Sequence, residues 1–99
     1  MPIATNLSKT LLEITGEPRA EIAIHELLKD AIEHRIEKIN AEIKSLESKY
    51  YMSFEEFKNK FNSGQIPDSH SYCVETDYLE WEGLVIRLSK YNSLLSTVI

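Results

Sequence analysis

Three histidines and one cysteine are the residues of this 99-residue chain with the most versatile chemistry. A metal site would need three or four such groups in one shell, and their spacing argues against it. His25 and His34 are nine residues apart. On a helix that turns them roughly 180° from each other, so one ion cannot take both. His70 and Cys73 have the separation of a ligand pair, but a tetrahedral site needs a second pair and the chain offers none. The single thiol also forbids an internal disulfide. No G-x-S-x-G, H-E-x-x-H, E-x-x-H pair, phosphate loop or G-x-G-x-x-G occurs. The chain therefore reads as a non-enzyme with no cofactor and no metal.

Charge distribution carries more information than any single side chain. The balance is 11 basic against 16 acidic residues, net −5, and it is uneven. From Phe61 to Ile86 there is no Lys or Arg, whereas Asp68, Glu75, Asp77, Glu80 and Glu82 are interleaved with Tyr72, Tyr78 and Trp81. Trp and Tyr are common interface anchors, and clustered acids steer a basic partner by long-range attraction. Glu75, Asp77, Tyr78, Glu80, Trp81 and Glu82 are accordingly the candidate partner-binding residues, suited to a basic RNA-binding protein whose site must be masked. The plainer alternative is a solvated helix face with its aromatics in the core. Nucleic-acid binding is possible but unsupported: Arg19, Lys29, Arg35, Lys38, Lys44 and Lys49 are outnumbered by interspersed acids, and no basic stripe survives.

These residues must be positioned by helices. Three Gly and three Pro are too few for the turns of an all-β fold. After Pro18 no Gly or Pro occurs through Tyr50, and Pro18 suits the first turn of a helix, so one long helix is expected over about 18–50. Ile32, Ile36, Ile39, Ile43 and Leu46 recur in steps of four, three, four and three. That is a heptad seam, the expected self-association surface. At 1.5 Å per residue the helix runs to roughly 50 Å, longer than a compact chain of this size. Its seam thus needs cover from another chain or from the C-terminal helix. Ser53-Phe54-Glu55-Glu56 is a capping box with a Met52–Phe57 staple, opening a short helix over about 54–62 that Gly64 stops. A third helix spans about 74–95, with Tyr78, Trp81, Val85 and Leu88 on one face. Gly83 within it points to a close helix crossing, and the tail from Ser96 to dock or pair. Residues 1–16 fit either a helix or a strand. No signal peptide or apolar span is evident, so the expected location is cytoplasmic.

The stretch Lys49-Tyr50-Tyr51-Met52-Ser53-Phe54-Glu55-Glu56-Phe57, followed by Tyr72-Cys73-Val74-Glu75-Thr76-Asp77-Tyr78-Leu79-Glu80-Trp81-Glu82, resembles small prokaryotic antitoxins of type II toxin–antitoxin pairs, common in archaea and cyanobacteria. The resemblance covers about half the chain. It implies a non-enzymatic protein that oligomerises through its helices and sequesters a toxin, often an RNA-cleaving one. The combined expectation is a single all-α domain over 1–99, packed as an oligomeric helical bundle, with a cognate basic toxin as partner. A structural coiled-coil scaffold or adaptor is the alternative, and a DNA-binding regulator a third.

Overall fold

The computed structural model describes residues 5–98, and every regular element among them is a helix. In chain order these are α1 (Thr5–Thr15), α2 (Ala20–Tyr50), α3 (Phe54–Asn62) and α4 (Tyr72–Val98). The first settles the helix-or-strand ambiguity over Thr5–Thr15; residues 1–4 of that segment lie outside the described residues. The Gly16 amide donates to the Leu12 carbonyl at 2.7 Å with Gly16 in the left-handed region (φ 70°), a helix stop that only glycine adopts without strain. The Thr15 hydroxyl then accepts from the Glu17 amide at 3.1 Å. Glu17 in turn accepts from the Arg19 amide (3.0 Å) and the Arg19 guanidinium (2.7 and 3.1 Å). These bonds from Arg19 hold the Glu17 carboxyl down at about 2. The α1–α2 turn is thus built by side chains, and α2 begins two residues after Pro18 rather than on it.

Helix α2 has 31 residues, about 46 Å at 1.5 Å per residue. The chain measures 58 × 23 × 22 Å with a radius of gyration of 19.5 Å, against about 13 Å for a compact chain of this length. The protein is a rod, as the long helix requires. Its heptad seam is covered by α4 of the same chain, which runs antiparallel to α2. Lys49 and Tyr50 meet Asp77 at one end, and Ile39 shares a groove with Arg87 and Tyr91 farther along.

The core lies at one end of the rod. Phe54, Phe57, Ile66 and Trp81 form it, with Ile43, Leu46, Tyr50, Met52, Phe61, Val74, Tyr78 and Val85 packed around. Helix α3 is placed against it by its two ends. Ser53 Oγ accepts from the Glu56 amide at 3.3 Å, which is the N-terminal half of the expected capping box. The Glu56 carboxylate pairs with Lys60 at 3.3 Å instead of reaching back. At the other end Gly64 (φ 73°) donates to the Phe61 carbonyl and Gln65 to that of Lys60, the paired bonds of a Schellman stop.

Helix α4 is longer than its sequence pattern predicts at both ends. Ser71 caps it, its hydroxyl accepting from the Val74 amide at 3.3 Å and its carbonyl from the Glu75 amide. The tail from Ser96 continues as helix to Val98 instead of pairing as an extended segment. Gly83 marks no close crossing, since a Cβ placed there would meet nothing within 4 Å.

Candidate protein-binding surfaces

The six residues expected to face a partner divide into two groups. Trp81 has no exposed surface. It lies among Phe57, Phe54 and Tyr50, with ring centroids at 5.1, 5.6 and 6.0 Å, and its Nε1–H meets no acceptor among the described residues. Tyr78 is half-buried and stacks on Phe61 at 4.5 Å. Both therefore anchor the chain's own core, because helix phase sets them on the side of α4 that meets α2 and α3. This corrects the expectation that they anchor a partner.

Asp77 is also turned inward, its side chain 15% exposed. It accepts from Lys49 Nζ at 2.6 Å and from the Tyr50 hydroxyl. Burial pushes the Asp77 carboxyl up, but the bonds from Lys49 and Tyr50 and the Lys49 charge outweigh it and leave the group below its ordinary range. The same contact raises Lys49. Burial and the Asp77 bond together keep the Tyr50 phenol protonated. Lys49, Tyr50 and Asp77 form a clamp between the C-terminus of α2 and the first turns of α4. Glu75 and Glu80 remain exposed and Glu82 is half-buried, so of the predicted six only Glu75 and Glu80 are fully at the surface.

The self-association seam has a similar outcome. Ile39 is 7% exposed, and Ile32, Ile36, Ile43 and Leu46 are half-buried. Ile43 and Leu46 pack against the Trp81 cluster. Of the two partners that the heptad pattern allowed, the C-terminal helix is the one in place.

Two apolar surfaces lie outside the expected binding residues. One is the tip built by α1 and the first turns of α2, where Leu7 (59%), Leu12 (44%), Ile14 (64%), Ile22 (37%), Ile24 (40%) and Leu28 (50%) are all exposed. Leu7, Ile14 and Ile24 converge there on a groove with Leu11 and Leu27. The other runs along the outer side of α4, with Leu79 at 67% and Ile86 at 62%. The signal for the first was the broad apolar pattern of residues 22–28, which exceeds what one neighbouring helix can cover.

No group of three or more His, Cys, Asp or Glu is placed to hold a metal ion among the described residues. His25, His34, His70 and Cys73 are exposed. No described helix is long and apolar enough to cross a membrane.

The chain belongs to the uncharacterised MJ0235 family, whose model matches residues 1–98. Neither the curated proteins nor the solved structures include a match.

Proposed function

We propose that this chain is a non-enzymatic, antitoxin-like binding protein that oligomerises and neutralises a basic protein partner by covering one of its faces. The observation that carries the reading is the apolar tip. Large side chains exposed to that extent on two adjacent helices are unusual for a chain that works alone, and such patches mark protein–protein contacts. The surroundings supply the sign of the partner. Glu13, Glu21, Glu26 and Asp30 are exposed on α1 and the first turns of α2, against one cation there, Lys9, without an ion pair among the described residues, whereas Lys29 faces Glu33 at 3.9 Å and Arg19 is tied to Glu17. An acidic rim about an apolar centre favours a basic partner, speeding encounter and fixing orientation.

The test is co-expression with the product of the neighbouring gene. Capture of that product, with relief of any growth arrest it causes, is the expected result. Ile14→Glu combined with Ile24→Glu should weaken capture at least tenfold while helix content, read by circular dichroism, is unchanged. Capture that ignores both substitutions would sink the proposal.

The rod shape favours a second reading, a scaffold or adaptor, since the tip and the outer side of α4 are separate surfaces on a 58 Å body. An adaptor would hold two different partners at once, which size-exclusion chromatography with light scattering would register as a ternary complex.

A further inference from the structure

We infer that the outer side of α4 pairs antiparallel with the same side of a second copy of this chain. At 100° per residue, Tyr72, Leu79, Gly83, Ile86 and Leu94 fall within about 80° of one another, and Thr76, Lys90 and Thr97 share that arc. The opposite side of the helix carries Tyr78, Trp81, Val85 and Leu88, which meet the rest of the fold. Tyr72 is 84% exposed, Leu79 67%, Ile86 62% and Leu94 40%, so α4 has a second, largely apolar stripe, interrupted by Lys90, that nothing among the described residues covers. Gly83 lies near its middle with open space around it, which lets another backbone approach.

Charge identifies the occupant. The N-terminal half of α4 bears Glu75, Glu80 and Glu82, and the C-terminal half bears Arg87 and Lys90. None of the five is ion-paired among the described residues, although Glu80 and Arg87 also border the α2–α4 groove beside Glu42. Two parallel copies would set acid against acid. Two antiparallel copies, related by a twofold axis beside Gly83, set each acidic half against the other's basic half. In that register Leu79 lies opposite the second copy's Ile86, Glu75 opposite its Lys90, and Glu80 beside its Arg87. Isologous pairing of this kind repeats each contact twice. Helix α4 is about 40 Å long and presents a strip about 10 Å wide, so each copy covers about 400 Å². That is half the roughly 800 Å² of a standard interface, and the dimer is expected to be weak and reversible.

This inference rests on the oligomerisation part of the proposed function and is independent of its partner. Sedimentation equilibrium of the full chain at low salt should show a reversible dimer. Glu75→Lys with Glu80→Lys should raise Kd at least tenfold, as should Arg87→Glu with Lys90→Glu. An equimolar mixture of the two double variants should recover dimer, because their halves are again complementary. Gly83→Cys in a Cys73→Ser background should form a disulfide-linked dimer on mild oxidation. The native Cys73 should not, since the twofold axis sets the two thiols roughly 28 Å apart along the helices. A chain that stays monomeric at several hundred micromolar overturns the inference, as does a dimer indifferent to the charge changes or one that Gly83→Cys fails to link. A monomer that still captures a basic protein would end this inference and leave partner binding standing; a dimer that captures nothing would do the reverse.

Discussion

Replacing Asp77 by Asn tests the clamp between α2 and α4, and its cost can be worked from the geometry. Asn retains an oxygen that can accept from Tyr50 but loses the charge. A hydrogen bond to a charged group contributes about 1.5–3 kcal/mol and a neutral one about 0.5–1.5, so the Tyr50 contact loses about 1 kcal/mol. Lys49 is 57% exposed and stays solvated when its partner goes, so solvent screening leaves its share small. The cost is about 1 kcal/mol at neutral pH, or roughly 5 °C in thermal midpoint for a chain of this size. The pH dependence has a definite sign. Asp77 is depressed in the folded chain, so its contribution is present above the unfolded aspartate value of about 3.9 and is lost as pH falls through the lower folded value. Lys49 is raised, so its contribution holds below its unfolded value of about 10.4 and fades only in stronger alkali. Urea denaturation of wild type and Asp77→Asn should therefore differ by about 1 kcal/mol near pH 7 and converge once pH falls below the depressed Asp77 value. A gap that persists in acid, or that is absent at neutral pH, would refute the reasoning.

Other substitutions probe single features. Gly83→Ala, in a helix interior with free space around it, should stabilise the dilute monomer by about 0.8–1 kcal/mol, read as a rise in thermal midpoint. Tyr51 is 92% exposed and holds a left-handed conformation at φ 57°. Tyr51→Gly should relieve about 1 kcal/mol of that strain, measurable by urea titration. Trp81→Ala should cost about 3–5 kcal/mol and leave little helix by circular dichroism. Trp81→Phe should cost clearly less, since it also removes a buried donor that lacks an acceptor. Ile39→Asp should unfold the chain, with loss of helix signal, because α4 of the same chain covers that position.

Local chemistry was legible in the sequence; choices between distant partners were not. The Ser53 cap, the Met52–Phe57 staple, the Gly64 stop and the extent of α2 all depend on residues a few positions apart, and each stands in the structure. The heptad of Ile32 to Leu46 announced a partner without naming it, because a period of 3.5 is satisfied equally by a second chain or by α4. Trp81 and Tyr78 show why composition misleads on a helix. They alternate with acids in sequence, yet they share the phase of Val85 and Leu88, and phase decides which side is buried. The Asp77 clamp spans 27 and 28 positions, and no local pattern anticipates it. Gly83 was assigned a close helix crossing, and the open space around it shows that no described residue of the chain supplies one.

The uneven distribution of the core gives the rod a gradient of cohesion. Phe54, Phe57, Ile66, Trp81 and Leu84 are buried toward one end, whereas Ala23 is the buried residue near the other. Segments with few buried apolar contacts open at lower free energy than the chain as a whole. Amide protection is therefore expected to be greatest where α3 meets α4 and to fall toward α1. The end that displays the most apolar surface is then also the end most easily reshaped. A partner that grips it would slow exchange there first, so the footprint of binding could be followed residue by residue before any complex was crystallised.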